Sequence, residues 1–135
     1  MRLAVTLLAI INTALGCTVV PYPVKQAAKR ADLVFRGSIE QIREAEIVFR
    51  VHRVWKGQVS QTIALPKIVW TSTPCMIGFY SAHVRVGAEL LVYARRMPEL
   101  NVAGYVPEPG SRTALIRDAD DDLNKLGKGR TPKHH

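Results

Sequence analysis

Apolar and polar side chains alternate over much of the chain between residues 32 and 106, which is the pattern of half-buried β-strands. The clearest case is residues 45–55, where Ile47, Phe49 and Val51 all fall on one face. Such a face predicts a strand with one side on a core and the other side in solvent. Further strands are predicted at 32–40, 59–65, 67–71, 89–95 and 102–106.

Other local features of the sequence predict bulges in the strands, two helices and a C-terminal tail. The phase changes near Trp55, which predicts a β-bulge there, and Gly37 interrupts another strand, which predicts a bulge or a sharp coil where the backbone bends. Residues 24–31 are rich in good helix formers, and residues 117–126 carry acidic side chains in their first turns, which complements the helix dipole. The basic tail after this second helix, 128–135, is predicted to be disordered. Periodicity alone therefore predicts a mainly β fold with a helix near each end.

The first residues have the three parts of a secretory signal peptide. Arg2 gives a positive start, residues 3–11 are mostly apolar, and Ala14 and Gly16 form a small-x-small cleavage site. The apolar run is too short to cross a hydrocarbon core about 30 Å thick. We therefore predict removal of residues 1–16 and export of the chain, as a secreted or a periplasmic protein.

Cleavage after the signal makes Cys17 the first residue of the mature chain, and two exclusive interpretations follow. Either the cysteine is lipidated, as in a bacterial lipoprotein, or its α-amino group is free. The second cysteine of the chain, Cys75, predicts a single disulfide with Cys17 in an oxidising compartment. That bond would hold the mature N-terminus beside the loop formed by Ser72, Thr73 and Pro74.

Composition narrows the class of partner. The chain has 135 residues, of which 47% are hydrophobic and 22% charged, which is typical of one folded domain. Its net charge of +8 favours an acidic partner, whether a protein surface, anionic lipid or nucleic acid. Export and an aromatic content of 7% argue against nucleic acid, because single strands bind by stacking bases on aromatic rings. A membrane partner is expected only if Cys17 is lipidated, and the chain is expected to be a monomer.

The sequence carries no motif of a catalytic or metal centre. It contains no Gly-x-Ser-x-Gly, no His-Glu-x-x-His and no phosphate-binding loop. His52 and His83 have no second ligand at metal spacing, and the acidic run 120–122 lacks the glycine and glutamate of a calcium loop. Trp55 and Trp70 are interpreted as core residues, and residues 120–122 as a solvated helix face. We predict that the chain is not an enzyme and has no cofactor and no metal of its own.

The mature N-terminus resembles that of a tissue inhibitor of metalloproteinases, which begins Cys-Thr or Cys-Ser and reaches a proline soon afterwards. Here it reads Cys17-Thr18-Val19-Val20-Pro21-Tyr22-Pro23. The stretch ADLVFRG at 31–37 is similar to the first strand of that family. Two further stretches, VWKG at 54–57 and GAELLVYA at 87–94, resemble the netrin-like domain in its microbial members. The resemblance covers residues 17–127. It implies a closed, five-stranded β-barrel of the OB type with a short N-terminal helix and a C-terminal helix.

The same resemblance implies a secreted inhibitor of zinc metalloendopeptidases. The α-amine and carbonyl of Cys17 would chelate the catalytic zinc at the position that a catalytic site keeps open. An α-amine has a pKa of about 7.7–8, so part of it is neutral and carries a free lone pair at neutral pH. Thr18 would enter the specificity pocket. Further contacts with the protease cleft are implied for Val19, Val20, Pro21, Ser72, Thr73 and Pro74.

The chain departs from the animal inhibitors at two places. Val19 stands where those proteins carry a second cysteine, and Gly110-Ser111 precedes Arg112-Thr113 where a cysteine is usual. Only one of the family's disulfides remains. The alternative function is a non-inhibitory netrin-like binding module, exported or lipid-anchored, whose basic surface holds an acidic partner.

Overall fold

A computed structural model describes residues 22–70, 76–108 and 112–133 of the chain. Within these ranges two α-helices and eight β-strands are formed, together with three short 3₁₀ turns. Most of the predicted strands and both predicted helices are found, with shifted ends. In chain order the elements are α1 Val24–Arg30, β1 Leu33–Ile42, β2 Glu46–Lys56, β3 Thr62–Pro66, β4 Ile68–Trp70, β5 Met76–Gly78, β6 Glu89–Arg96, β7 Tyr105–Pro107, β8 Ala114–Leu115 and α2 Asp120–Leu126.

The strands form one large antiparallel sheet and one separate hairpin. The order in the large sheet is β3-β2-β1-β6-β7, and β8 also pairs with β6. Strands β4 and β5 pair only with each other among the described residues. The predicted mainly β class is confirmed. No closed barrel is found among the described strands, although Cα atoms of the edge strands β3 and β7 come within 8 Å of each other.

Both predicted bulges are present, and they bend the two longest strands. The pairing of β1 with β2 shifts register between Arg36 and Gly37, where a Cβ on the glycine would lie 2.8 Å from the Arg50 carbonyl oxygen. A second shift leaves Trp55 as an extra residue, because Val34 pairs with Lys56 while Phe35 already pairs with Val54. Extra residues of this kind increase the twist of a strand. The sheet therefore curls around its core.

Alternate residues of the central strands enter two separate cores. On one side a larger core surrounds Phe35 and Phe49, whose rings meet edge to face with centroids 5.6 Å apart. On the other side Leu91 and Tyr93 of β6 pack under the two helices. The inner face of α1 belongs to this second core, in which Ala27 is fully buried. The second core comprises Ala27, Ala31, Val34, Leu91, Tyr93 and Ala119.

The C-terminal residues differ from their prediction. A 3₁₀ turn at Ile116–Asp118 precedes α2, so the helix begins at Asp120 rather than at residue 117. Residues 128–133 do not form a disordered tail, because Val54 and Arg130 exchange two backbone hydrogen bonds of 2.8 Å. The amide of Lys133 also donates to the carbonyl of Val59 at 3.2 Å. None of the helices in the described ranges is long and apolar enough to cross a membrane.

Candidate functional site

The residues predicted to form the inhibitory edge lie outside the described residues. This applies to residues 17–21, to residues 72–74 and to the Cys17–Cys75 disulfide. The structure does describe the points at which these segments join the folded chain. The first segment joins at Tyr22, directly before α1, and the second joins at the tip of the β4–β5 hairpin.

Tyr22 is held by two arginines. Its carbonyl oxygen accepts a hydrogen bond of 3.3 Å from Nη1 of Arg112, which is 90 residues away in the sequence. The guanidinium of Arg30 lies over its ring, 4.5 Å from the centroid. A cation–π contact of this kind contributes about 0.5–1 kcal/mol at an exposed site. Both the backbone and the ring of the residue after the predicted inhibitory segment are therefore fixed to the domain.

Arg112 is itself fixed by a buried carboxylate. Its Nε and Nη2 donate to the two oxygens of Asp122 at 2.8 and 2.7 Å, and the hydroxyl of Tyr93 donates to Asp122 at 2.7 Å. Burial acts to raise the pKa of Asp122, but the hydrogen bonds from Arg112 and Tyr93 outweigh it and hold that pKa below its ordinary value. Burial raises the pKa of Tyr93, and the neighbouring carboxylate raises it further. Asp122 is thus ionised at neutral pH and orients Arg112 towards Tyr22.

A second buried carboxylate fixes Arg30. Nε of Arg30 donates to Oε1 of Glu108 at 3.2 Å, and the Glu108 side chain is fully buried. The backbone amide of Glu108 donates to the carbonyl of Tyr93 at 2.9 Å, which ties it to β6. Oε2 of Glu108 is buried and has no hydrogen-bond partner among the described residues. Arg30 therefore bridges the Tyr22 ring to a carboxylate anchored on the sheet.

The second predicted segment lies in the sequence between β4 and β5, which pair with each other. Val69 and Ile77 are cross-strand partners, and both pack against Val106 of β7. Val106 lies only two residues before Glu108, to which the N-terminal anchor is tied through Arg30. The contacts of Tyr22 and those of the β4–β5 hairpin therefore lead to neighbouring residues, Glu108 and Val106.

The other predicted candidates have ordinary contacts. Nε2 of His52 lies 2.7 Å from the hydroxyl oxygen of Ser38 on the exposed face of the sheet, and His83 meets the ring of Tyr80 edge to face at 5.1 Å. Trp55 is half-buried against the second core, and the side chain of Trp70 lies outside the described residues. No group of three or more metal-ligating side chains occurs within the described ranges.

The sequence prediction missed the anchor of Tyr22. Asp122 was expected on a solvated helix face, but it is buried because Arg112 and Tyr93 satisfy its oxygens. Two signals in the sequence pointed towards the anchor. One is the isolated charge of Glu108 between two prolines, and the other is the Arg112-Thr113 pair already noted in the resemblance.

The arrangement has no catalytic constellation within the described residues, but it is suited to holding one strand of chain rigidly in place. A scan against protein-family models and a search of curated proteins both returned no match. Within the described residues, the site is therefore a chain segment held at Tyr22 by two arginine–carboxylate pairs.

Proposed function

We propose that the protein is an exported inhibitor of zinc metalloendopeptidases that binds through its mature N-terminus. The amine nitrogen and carbonyl oxygen of Cys17 would form a five-membered chelate on the catalytic zinc of the protease. A catalytic zinc keeps one position for water or substrate, and the chelate would occupy that position. Thr18 would enter the specificity pocket, and residues 19–21 would lie along the cleft.

The observation that carries this proposal is the double anchor of Tyr22. This residue directly follows the proposed inhibitory segment, and Arg112 and Arg30 hold its backbone and its ring. An N-terminal segment that is fixed at its base loses less conformational entropy when it binds. Such a base matters here because Val19 replaces a cysteine that braces the animal inhibitors. The two arginine–carboxylate pairs supply part of the bracing that the missing disulfide would provide.

The β4–β5 hairpin gives a second argument for the proposal. The loop with Ser72, Thr73 and Pro74 connects β4 to β5, which pack on β7 through Val69 and Ile77. Large apolar side chains are exposed in and just after this hairpin, with Ile68 of β4 at 46% and Tyr80, two residues after β5, at 68% exposure. Large apolar side chains that remain in solvent favour a protein partner.

The strand order also supports an OB-like domain of the kind that the resemblance implies. The first three strands form a meander, β6 returns beside β1, and β7 follows β6. Contact of β7 with β3 would complete a barrel, and Cα atoms of these strands are already within 8 Å. We propose that the domain is a barrel of this type whose last pairing is not a regular ladder.

The experiment begins with the intact mass of the exported, unreduced protein. A mass that starts at Cys17 and is two hydrogens below the reduced value would give a free amine held by a disulfide. Acyl chains on Cys17 would block the amine, and that result would overturn the chelation mechanism in favour of a lipid-anchored binding module.

Inhibition is then measured on a panel of zinc metalloendopeptidases. We expect the mature protein to inhibit at least one of them, and we expect inhibition to be lost when one alanine is added before Cys17 or when its amine is acetylated. An alanine added after His135 is the matched control and should leave inhibition unchanged. Equal inhibition by the N-terminally extended and the unmodified protein would refute the mechanism, provided that both give the same circular dichroism spectrum.

A further inference from the structure

Five cationic residues belong to the segments that contact one another where β2 ends and the C-terminal residues return to it. We call them the tail cluster. Three of them belong to the residues that follow α2, one ends β2 and one lies in the last turn of α1. The members of the tail cluster are Lys29, Lys56, Lys128, Arg130 and Lys133.

Neutral groups hold the tail cluster together. Nζ of Lys56 donates to the carbonyls of Ala28 and Lys29 at 3.0 and 3.1 Å, which joins the end of β2 to the end of α1. A guanidinium nitrogen of Arg130 donates to the carbonyl of Gly57. Nζ of Lys133 donates to the side-chain amide oxygen of Gln58 at 3.0 Å. Carbonyl and amide oxygens orient these cations without cancelling their charge.

No member of the tail cluster forms an ion pair within the described residues. The ion pairs there use other cations, most of them on the sheet face or near α2. The backbone carbonyl of Asp32 lies against Gly57, next to Lys56. Its carboxylate accepts a hydrogen bond of 2.8 Å from the backbone amide of Arg96. Within the described residues, the positive charges of the tail cluster are therefore not neutralised by ion pairs, and they contribute to the net charge of +8.

We propose that the tail cluster binds a linear anionic polysaccharide. Flexible lysines on separate segments suit a polymer with repeated sulfate or carboxylate groups, because each cation can meet a different group along it. Among the described residues, the aromatic side chain that contacts the segments of the cluster is Trp55, whose indole Nε1 donates to the Gly127 carbonyl at 2.9 Å. A Cβ on Gly129 would lie 2.9 Å from the same nitrogen, so the backbone of the tail lies against this edge of the ring. A single half-buried ring, held at its edge by the tail, is a poor platform for stacking successive bases, which disfavours a single-stranded nucleic acid.

The surroundings of the tail cluster also disfavour a membrane. Binding to a bilayer surface combines cations with apolar side chains that enter the interface. The large apolar side chains exposed in the described ranges are Ile68, Tyr80 and Val86, and none of them lies in a segment that contributes to the cluster. A hydrated, charged polymer needs no such insertion. This binding function goes beyond protease inhibition, and it does not require a free amine at Cys17.

The test measures binding of heparin to the mature protein over a range of salt concentrations. The cluster variant is Lys29→Gln/Lys128→Gln/Lys133→Gln, which keeps the anchoring contacts of Lys56 and Arg130. The control variant is Lys67→Gln/Arg85→Gln/Arg117→Gln, which removes the same number of charges elsewhere. We expect the cluster variant to bind heparin at least about tenfold more weakly near physiological salt. The salt dependence of its binding should fall by about three ions. The heparin affinity of the control variant should change roughly threefold or less.

Three outcomes would overturn the proposal. The first is an equal loss of heparin binding in the cluster and control variants, and the second is unchanged binding in the cluster variant. The third is that single-stranded DNA, or vesicles with anionic lipid, bind the protein as tightly as heparin does. Equal losses would mean that net charge alone attracts the polymer. A melting curve of each variant separates lost binding from lost folding. If the triple variant unfolds, Lys29→Gln/Lys128→Gln replaces it, because these two side chains make no hydrogen bond within the described ranges. Protease inhibition by the cluster variant should be unchanged, so this proposal and the inhibitory mechanism can fail independently.

Discussion

Asp122 shows how one side chain links three parts of the molecule. It lies on the first turn of α2, receives two hydrogen bonds from Arg112 and one from Tyr93 of β6, and is buried. Through Arg112 it also orients the group that holds the carbonyl of Tyr22. Removing one partner of a buried ion pair costs more than the pair itself contributes, because the remaining charge is left without compensation.

Asp122→Asn should therefore destabilise the protein. Arg112 is 26% exposed and water would partly solvate it, so we expect a loss of about 2 kcal/mol, below the roughly 3–5 kcal/mol of a fully buried pair. Urea unfolding at neutral pH measures this loss. Asp121→Asn is the matched control, since Asp121 is exposed and should cost about 0.5 kcal/mol or less. A loss as large in the control would show that the charge of the helix terminus matters and that burial does not.

The same ion pair predicts the acid sensitivity of the fold. The pKa of Asp122 is lower in the folded state than in the unfolded chain, so the unfolded state binds the proton more readily. The contribution of Asp122 is thus complete above about pH 4 and is lost as the pH falls through its folded pKa. The difference in unfolding free energy between the natural chain and Asp122→Asn should shrink below about pH 4. A difference that stays constant down to acid unfolding would contradict this assignment.

The C-terminal residues act as a short extra strand. β3 pairs with β2 only at residues 46–50, so the rest of that edge of β2 would be open to solvent. Arg130 covers it by exchanging two hydrogen bonds with Val54, and the Gly127 carbonyl accepts from the indole of Trp55. An open strand edge invites pairing with another chain. The tail therefore completes β2 as well as contributing charge.

A chain that ends at Gly127 should be less stable and more prone to aggregate. The loss of the two backbone hydrogen bonds at Val54 should cost about 1–3 kcal/mol, at about 0.5–1.5 kcal/mol for each. Hydrogen exchange of the Val54 amide measures the local effect, and we expect the protection of this amide to fall. The protection of the Phe35 amide should change only as much as the global stability does. Unchanged protection of Val54 would show that the tail does not hold this edge.

Gly129 tests the same contact with a single substitution. Both Gly127 and Gly129 have positive φ, at 81° and 66°, so an alanine is strained at either position. Only at Gly129 would the new Cβ meet the indole of Trp55, at 2.9 Å from Nε1. We expect Gly129→Ala to cost about 1 kcal/mol more than Gly127→Ala in thermal unfolding. Equal costs would mean that backbone strain alone explains both.

At the scale of the whole molecule, stability is distributed unevenly. Strand β6 sends side chains into both cores, since Leu90 and Val92 enter one and Leu91 and Tyr93 the other. In the part of the β4–β5 hairpin that the structure describes, three residue pairs form, and Val69 and Ile77 pack against the domain. Elements with few buried contacts open locally at a lower free energy than the core.

Native-state hydrogen exchange should separate these two regions. We expect the amides of β6 and of its neighbour β1 to exchange only through global unfolding, and those of β4 and β5 to exchange through a local opening with little dependence on denaturant. Equal protection across the hairpin and β6 would show that the domain opens as a single unit.

Much of the fold follows from local patterns. The alternation that ends near Trp55, the glycine at position 37 and the helix formers before Ala31 each act over a few residues, and the strands, bulges and α1 are found there. Hydrophobic periodicity depends on neighbours along the chain, so the sequence reveals it directly. The proposed inhibitory residues also come from a local signal, the cleavage site before Cys17, and they remain a prediction.

The sequence by itself determined the mainly β class, the position of α1 and the two bulges, because each depends on residues adjacent in the chain. Only the tertiary structure decided that Asp122 is buried, that the tail lies on β2 and that Tyr22 is anchored. Those features join residues far apart in sequence, such as Arg30 and Glu108 across 78 positions. A charge appears solvated in the sequence until folding places its partner beside it, because burial is affordable only when both partners are present.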